Sequence, residues 1–560
     1  MSIESYEERL HRLERLHAVG IALAAENDSD RLMELILLEA KALCRADAGT
    51  LYLRSEQDTL CFTIMHTDSL GVAMGGTTGK DIRLPPIPLF DPETGRPNHH
   101  NVASHAVLLK QSVNIPDAYD YEGDLDFSGT RSFDLHNNYR SKSFLTIPLC
   151  NQKNRVLGVL QLINAKGPEG ELIPFSAGLQ ETVETLASQA AVILDNKLLV
   201  DAQAALLESF IKLIAEAIDA KSPYTGAHCG RVPVLTEMLA RAACDSLSPP
   251  FTDFVLSDEE WYELHIAAWL HDCGKVTTPV HVMDKATKLE TIFDRIEVVR
   301  ARFEVLRREV EVDRLEGRLR GDEPAAVDAR AQAELAQIED DLAFLETVNL
   351  GGEYLDEEKK GRVRQIGARS VVQGGVACAL LGPEEVDNLC ISRGTLNREE
   401  RIVINGHMSQ TIKMLQKLPF PRHLKRVPEY AGGHHEKMDG SGYPRGLYAG
   451  DMSIPARIMA IADVFEALTA QDRPYKPGKT LSQAMRIMGF MKKDNHLDPH
   501  LFDLFVRSGI FREYGARFLP EELLDEVDVQ SLLDIEPRPF ELPPVDERMK
   551  RWIDFLPDYQ

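Results

Sequence analysis

One segment divides the chain and restricts the folds open to it: between Ala177 and Ala220 there is almost no helix-breaking residue. We predict a connecting helix over residues 177–222. Apolar residues recur along it at helical spacing, at Val183, Leu186, Ala190, Ile193, Leu198, Leu206, Leu207, Phe210, Leu213 and Ile214. A helix of this length between two domains cannot bury such a stripe alone, so we expect it to pair with a second copy in a homodimer. The alternative is a helix that packs back onto its own domains.

Length and composition describe an ordinary globular chain. With 560 residues it is too long for one hydrophobic core and should form two to four domains. No stretch reaches the ~18 uninterrupted apolar residues of a membrane span, and the N-terminus lacks the apolar core of a secretory signal. The eight cysteines are scattered without a CxxC pair, which suits a reducing compartment. We therefore expect a cytoplasmic protein.

The formal net charge of −25 limits the partners of the chain. A nucleic-acid polymer and an anionic membrane would both be repelled by so negative a surface, so neither is expected as a partner. A small anionic ligand is still allowed, because it responds to the charges of its own pocket.

The part of the chain before the connecting helix is predicted to be an α+β domain over residues 29–176. A helix over residues 1–28 precedes it, and a second helix spans about 29–44. Short strands bounded by turn residues follow, at TLYLR, LCFTIMH, SVNIPDAYD, SFLTIPLC and VLGVLQLINA.

Three stretches of this domain resemble GAF sensor domains: SVNIPDAYD at 112–120, NNYRSKSFLTIPL at 137–149 and GVLQLINAKG at 158–167. The GAF branch found in cyclic-nucleotide phosphodiesterases carries an Asn-Lys, Phe, Asp-Glu signature that accompanies nucleotide binding. Asn164, Lys166 and Phe175 stand roughly in place, but the closing Asp-Glu is Leu179-Gln180-Glu181 here. The resemblance implies a sensor with a small-molecule ligand. The alternative is a GAF fold that serves only in dimerisation and packing.

Residues 223–525 are predicted to be all-α, with an inserted helical hairpin at 289–395. Apolar residues repeat there at spacings of three and four, at Ile292, Ile296, Val299, Phe303, Leu306 and Val310, and again at Leu335, Ile338, Leu342 and Leu345. The four residues 321–324, Gly-Asp-Glu-Pro, form a helix stop followed by a helix start. We expect the hairpin to contact a protein partner or to regulate the domain. Residues 526–560, rich in proline and acidic residues, are expected to form a tail.

Seven histidines and aspartates in the helical region are the candidate metal ligands: His228, His271, Asp272, His407, His434, His435 and Asp463. Each one alone is weak evidence, because a buried histidine is more often a core residue bonded to a carbonyl. As a set, imidazoles and carboxylates suit iron, manganese or zinc rather than calcium or magnesium, and the lack of thiolates argues against a structural zinc site. Five histidines and two aspartates are more than one metal needs and about right for two metals that share a bridging carboxylate.

The residues that follow Asp272 point to a phosphate. His271 and Asp272 end an apolar helix, WYELHIAAWL, so both can project into a cleft at its C-terminal end. Gly274 stops the helix and Lys275 follows at once. A cation beside two metals and a carboxylate is badly placed unless an anion joins them, as a phosphate would do.

These residues lie in stretches that resemble the HD superfamily of metal-dependent phosphohydrolases and, within it, the HD-GYP subfamily: LHDCGK at 270–275, HHEKMDGSGYP at 434–444 and ADVFEALTAQDRPYK at 462–476. The resemblance covers 223–288 and 396–515. The family joins these two parts by a short link, so the 289–395 segment lies between matched flanks. Ser222 and Met408 depart from the family pattern, and neither change removes a ligand.

The resemblance implies a phosphodiesterase with two divalent metal ions per chain, iron or manganese. It assigns His228, His271, Asp272 and Asp463 to one metal, and His407, His434 and His435 to the other, with Asp272 bridging. A hydroxide that bridges the metals would attack phosphorus, with Asp272 and Lys275 as the catalytic residues and Lys275 meeting the charge on the phosphoryl oxygens.

Further residues receive roles from the same resemblance. Glu436 and Asp439 are expected to orient imidazoles. Substrate contacts are expected from Gly442, Tyr443, Pro444, Arg445, Arg473 and Lys476. Tyr443 and Arg445 would lie on the lip of the pocket and stack on or bond a guanine base. The alternative for Tyr443 is a ring that only packs its loop.

Two metals are expected rather than three. Members of the family with a third metal carry a glutamate four residues before the first ligand histidine. That position is Tyr224 here, and a neutral phenol with a pKa near ~10 is a poor metal ligand at pH 7.

Three functions remain open at this point. The first is hydrolysis of cyclic di-GMP to linear pGpG or GMP, regulated by the GAF-type domain. The second is the same chemistry on another cyclic dinucleotide, such as mixed cyclic GMP-AMP. The third is a catalytically inactive signalling scaffold. A scaffold would be expected to lack a metal ligand, and none is missing from the sequence.

Overall fold

The computed structural model describes residues 6–221, 228–471 and 478–548. The chain divides into two compact units, Met1–Leu207 and Glu208–Gln560. Within the described ranges, no helix combines the length and the apolar character needed to cross a bilayer.

The first unit is built on one antiparallel sheet with helices against it. Its strands are β1 (Ala46–Arg54), β2 (Thr59–Thr67), β3 (Val72–Gly75), β4 (Ile87–Pro88), β5 (Val113–Ile115), β6 (Phe144–Cys150), β7 (Val156–Lys166) and β8 (Leu172–Ile173). The strand order is β3-β2-β1-β7-β6-β5, with β4 paired to β2 and β8 to β7. The helices are α1 (Tyr6–Ala25), α2 (Ser29–Cys44), α3 (Val102–Leu109), α4 (Ser128–Asn137) and the first part of α5 (Ala177–Lys221). The predicted α+β class is confirmed, and each of the five predicted strands overlaps an observed one.

Alternation along β7 explains how the sheet takes helices on both faces. Leu160 and Leu162 point to the core that also contains residues of α2 and α5, such as Leu186. Val159 points to the opposite face, where it packs in a core with Ala103 of α3. Successive strand residues face opposite sides, so two apolar cores form from one sheet.

Helix α5 corrects part of the prediction made for the connecting helix. Leu186 is 0% exposed and belongs to the core of the first unit, so this half of the stripe packs back onto its own domain. Farther along, Leu206 is 57% and Leu213 59% exposed. The last turns belong to the second unit, where Ile211 and Ile218 are buried in its core.

The second unit is largely helical, as predicted. Its remaining helices are α6 (His228–Cys244), α7 (Asp258–Leu270), α8 (Val280–Met283), α9 (Ile296–Arg320), α10 (Pro324–Asn349), α11 (Glu357–Gly367), α12 (Pro383–Leu389), α13 (Arg398–Lys417), α14 (Val427–Gly432), α15 (Ile454–Thr469), α16 (Leu481–Lys493), α17 (Pro499–Ser508), α18 (Ile510–Phe518) and α19 (Val529–Leu533). A 3-10 turn at Cys273–Thr277 follows α7. The largest core joins residues of α5, α6, α7, α15, α16 and α17.

The segment at 289–395 contains the predicted hairpin, formed by α9 and α10, and more besides. Helices α11 and α12 and a two-stranded sheet, β9 (Ser370–Gln373) with β10 (Val376–Ala379), complete it. Its apolar residues, from Leu289 to Leu389, form a core separate from the main one. The prediction of a simple hairpin is therefore wrong in extent, because residues 350–395 fold against the two long helices instead of linking them back directly.

The C-terminal segment is also more ordered than a tail. Within residues 526–548, Val527 and Leu532 are buried in the main core. The backbone carbonyl of Arg538 accepts a hydrogen bond from Asn495 Nδ2 at 2.7 Å. Val529, Leu533 and Ile535 also pack against this core, so α19 docks on the domain.

Candidate metal centre

Five helices and the turns that follow two of them bring the predicted ligands together. His228 begins α6, His271 caps the C-terminus of α7 and Asp272 follows it. His407 lies in α13, the pair His434 and His435 follows α14, and Asp463 lies in α15. Six of the seven side chains are buried, and His435 is half-buried.

The seven residues form two groups that share Asp272. The first group is His228, His271, Asp272 and Asp463, and the second is Asp272, His407, His434 and His435; within each group the ligand atoms lie within 4.8 Å of one another. Asp272 Oδ2 lies 3.4 Å from His228 Nε2 and 3.2 Å from His271 Nε2. Its other oxygen, Oδ1, lies 3.4 Å from His407 Nε2. Asp272 thus presents one oxygen to each group, as a bridging carboxylate must.

Backbone carbonyls fix the orientation of three of these rings. Nδ1 of His271 donates to the carbonyl of Ala268 at 2.7 Å, and Nδ1 of His434 donates to that of Ala431 at 2.7 Å. His407 Nδ1 donates in the same way to Ile404. In each case the acceptor lies three residues earlier in the chain. A ring whose Nδ1 carries the proton presents a lone pair at Nε2, which is the form that binds a metal.

His228 is oriented by a residue that the sequence analysis missed. Its Nδ1 donates to the carboxylate of the buried Glu466, whose other oxygen accepts from Arg231 Nε at 2.6 Å. Burial lowers the pKa of His228, but Glu466 outweighs it and raises that pKa well above the usual value. A carboxylate behind a ligand histidine makes it a more basic ligand. Glu466 lies three residues after Asp463, on the same face of a helix. This spacing in the sequence could have identified Glu466 as a residue close to the ligands.

The donor set fits divalent metal ions. Asp272 Oδ1 and Nε2 of both His407 and His434 are buried with no hydrogen-bond partner in the described part of the chain. His228 Nε2 and His271 Nε2 lie 3.4 Å apart. Burial lowers the pKa of His434 to about 4, with the neighbouring His271 adding to the effect, so its imidazole is neutral at pH 7. Each unsatisfied buried polar atom costs about 1–3 kcal/mol, and a cation between the facing lone pairs would remove that cost.

Lys275 lies against the shared carboxylate. Its Nζ donates to Asp272 Oδ2 at 2.5 Å. Burial lowers the pKa of Lys275, but Asp272 and Asp463 outweigh burial and raise it, so the side chain is an ammonium. Burial raises the pKa of Asp272, but Lys275 and His271 outweigh it and hold that pKa well below its usual value. The predicted catalytic pair is therefore in contact.

The loop after His435 departs from its predicted roles. Glu436 does not orient an imidazole: its two oxygens accept from the backbone N–H of Arg445 and of Leu447, at 2.8 and 2.9 Å. Asp439 accepts from the N–H of Ser441 at 3.0 Å and so holds its own turn. Both carboxylates bond to backbone amides of their own loop, because the loop folds back on itself.

The predicted substrate contacts on this loop also change. The Tyr443 ring stacks on His435, with centroids 4.9 Å apart and planes at 19°, so one of its faces covers a ligand histidine. Pro444 follows it through a cis peptide bond. Gly442 lies against backbone, where an added Cβ would come within 2.4 Å of Lys437 N. Arg445 is half-buried, with its Nε and Nη2 atoms inside the protein, and its contact with a base stays a prediction. Arg473, Lys476 and Tyr224 lie outside the described residues.

In the first unit, the GAF signature residues serve packing. Asn164 Nδ2 donates to the carbonyl of Arg140 at 2.7 Å, and its Oδ1 accepts from Lys142 N at 2.7 Å. Lys166 pairs with the buried Asp47, and Phe175 lies in the apolar core. All three side chains are engaged within the domain.

Comparison with known families agrees with both halves of this picture. Residues 28–194 match the GAF domain family, and residues 376–501 match the HD domain family. The chain therefore combines a GAF domain with an HD domain, and the resemblances drawn from the sequence are confirmed. The HD match begins inside the 289–395 segment, so it contains His407, His434, His435 and Asp463 but not the earlier ligands.

Curated relatives resemble part of the chain. A 3'3'-cGAMP-specific phosphodiesterase of Vibrio cholerae is 43% identical over 126 residues, covering 22% of this chain and 28% of that protein. A cyclic di-GMP phosphodiesterase of Pseudomonas aeruginosa is 44% identical over 79 residues, covering 14% and 18%. A cyclic di-GMP phosphodiesterase of Thermotoga maritima is 32% identical over 162 residues, covering 25% and 42%. The chain spans less than half the length of each of these relatives.

Proposed function

We propose that this chain is a metal-dependent phosphodiesterase that hydrolyses cyclic di-GMP to linear pGpG or GMP. The observation that carries the proposal is the pair of buried ligand groups joined by Asp272, with one carboxylate oxygen facing each group. The relatives support the reaction class, because all three are named as cyclic dinucleotide phosphodiesterases.

The residues of the site have different roles in this reaction. Two divalent metal ions, iron or manganese, would supply the charge that makes a water molecule nucleophilic at neutral pH and that stabilises a phosphate. The imidazoles and Asp463 would hold those ions, and Asp272 would be a ligand common to both groups. The Lys275 ammonium, now against Asp272, is placed to meet a phosphoryl oxygen as negative charge develops there. His435 is held from behind by the ring of Tyr443.

The second candidate is the same chemistry on mixed cyclic GMP-AMP. The relative of Vibrio cholerae named above is specific for that dinucleotide by name and shares 43% of the aligned residues. The third candidate, an inactive scaffold, is less consistent with the site, since all seven predicted ligands lie in the two groups.

Regulation by the GAF domain and a homodimer are parts of the same proposal. Leu206, Phe210 and Leu213 are each more than half exposed on α5, and a second copy of the helix would cover them. The GAF domain would bind a small-molecule ligand, and the 289–395 segment would bind a protein partner.

The deciding experiment is a substrate panel with matched variants. Purified protein loaded with iron or manganese is incubated with cyclic di-GMP, mixed cyclic GMP-AMP and cyclic di-AMP, and products are separated by chromatography. We expect the native chain to consume cyclic di-GMP fastest, His434→Ala to be inactive, and His281→Ala, a change at an exposed histidine of α8, to match the native chain. Faster consumption of mixed cyclic GMP-AMP would favour the second candidate, and no consumption of any dinucleotide would favour the scaffold.

A further inference from the structure

The last turn of α5 is bonded directly to the segment that follows the bridging aspartate. The Nζ of Lys221, the final residue of the helix, donates to the carbonyls of Lys275 at 3.2 Å and of Thr278 at 2.6 Å. It also donates to the carbonyl of Val276. An ammonium has three protons, and here three carbonyls accept from it. These carbonyls belong to or adjoin the 3-10 turn whose N-cap is Asp272.

The same turn of α5 holds the start of α6. Asp219 Oδ2 accepts from the N–H of Cys229 at 3.3 Å. Cys229 follows His228 in the chain, so this bond fixes the backbone beside the first ligand of the first group. Ile218, which immediately precedes Asp219, is buried in the main core and anchors this turn of α5.

The contacts of Lys221 and of Asp219 both affect the first metal group, through different parts of the backbone. Lys221 acts on the turn that carries Asp272 and Lys275, and Asp219 acts on the backbone beside His228. His228 and Asp272 both belong to the first group. The second group shares Asp272, and its other three ligands, His407, His434 and His435, lie in α13 or follow α14. The contacts of α5 thus bear on two ligands of the first group and on one of the second, so a change at the end of α5 should affect the first group more than the second.

We propose that Lys221 and Asp219 are positioning residues that hold the first metal group, so that the end of α5 sets the geometry of one of the two metal sites. The proposal rests on the proposed function for its effect on turnover, and on the ligand groups alone for its effect on metal binding. Partners that orient metal ligands typically contribute about 10–100-fold in metal affinity or activity. Because Lys221 bonds the backbone and not a ligand side chain, we expect its loss to lower metal affinity by the smaller figure, about tenfold.

The test compares Lys221→Met and Lys221→Arg with Lys212→Met in the full chain. Lys212 lies on the same helix, is 43% exposed and pairs at 2.6 Å with Glu208, so it is a matched control. The probe is manganese, titrated into metal-free protein by calorimetry. We expect Lys221→Met to bind one equivalent about tenfold more weakly and the other with a clearly smaller loss of affinity, and to lower kcat more than it raises KM. Lys221→Arg should restore binding because a guanidinium also donates several hydrogen bonds, and Lys212→Met should match the native chain.

Thermal unfolding separates positioning from folding. The metal-free Lys221→Met protein should unfold near the temperature of the native chain, because the three carbonyls lie at partly exposed sites where water can replace the ammonium. Its stabilisation by manganese should be smaller. Asp219→Leu, which removes the acceptor, should lower the affinity for the same equivalent of manganese. Asp219→Asn keeps an acceptor and should bind manganese like the native chain. Native affinity for both equivalents in Lys221→Met and Asp219→Leu, or equal weakening of both, would overturn the proposal. If the native chain hydrolyses no cyclic dinucleotide, the proposed function fails and the binding titrations still decide the role of Lys221.

Discussion

The replacement Glu466→Gln tests whether a buried carboxylate tunes the first metal group. Glu466 is 1% exposed and accepts two hydrogen bonds, from His228 Nδ1 and from Arg231 Nε. A glutamine has the same shape but one acceptor oxygen, and its amide nitrogen only donates. Either His228 Nδ1 or Arg231 Nε must therefore face another donor or lose its acceptor. His228 also loses the neighbouring negative charge of Glu466, which makes its imidazole more basic.

The magnitude follows from the role of such partners. Mutation of a group that orients a ligand histidine costs about 10–100-fold in metal affinity, which is about 1.4–2.7 kcal/mol. Because His228 belongs to one group only, we expect one weakened equivalent and one unchanged. Manganese content is measured by mass spectrometry after dialysis against metal buffers, and hydrolysis is measured on the same samples.

The control is Glu346→Gln. Glu346 accepts from Arg300 Nε at 2.6 Å, the same distance as in the Glu466–Arg231 pair, but this ion pair is exposed on the 289–395 segment. Exposed pairs of this kind contribute about 0–1 kcal/mol, and metal binding should not change. If Glu466→Gln binds both equivalents like the native chain, the carboxylate does not support His228 as the geometry indicates.

Three further outcomes follow from the same structure. Asp272→Ala removes the shared carboxylate, so hydrolysis should cease and metal analysis should show a loss at both groups while circular dichroism stays native; unchanged turnover would rule out the assignment. Replacing 291–393 by a short Gly/Ser linker should leave a folded, metal-binding domain, as judged by gel filtration and metal analysis. Lys288 is changed to Met in the same protein, because its ammonium donates to two carbonyls inside the deleted segment. Aggregation of that protein would show that the segment is part of the domain core. Leu213→Lys should weaken a dimer in sedimentation experiments whereas Leu247→Lys, at an 89% exposed site elsewhere, should not; a native chain that is monomeric at micromolar concentration would contradict the dimer.

The sequence predicted the ligands better than the residues around them. Histidine and aspartate are limited in what they can do when buried together, so the seven ligands could be identified from residue type and motif. Their partners could not, because three of them are backbone carbonyls, at Ala268, Ile404 and Ala431, which no sequence pattern displays. Glu436 was assigned to an imidazole although it bonds loop amides, since spacing alone does not say which way a loop folds.

Helix α5 shows the same limit for packing. Leu186 and Leu213 both belong to the apolar pattern read along the helix, yet the first is buried in the core of its own unit and the second is 59% exposed. A helical period identifies an apolar face but not what covers it. The two-strand sheet β9–β10 was missed for a related reason: four-residue strands are too short to show a period.

The central claim is that the two ligand groups act together in hydrolysing a cyclic dinucleotide. Product formation from cyclic di-GMP, measured while manganese is added to metal-free protein in steps of half an equivalent, tests it most directly. The account predicts little activity up to one equivalent, a rise to the full rate between one and two, and no further gain from a third. A full rate at one equivalent, or a requirement for a third, would contradict it.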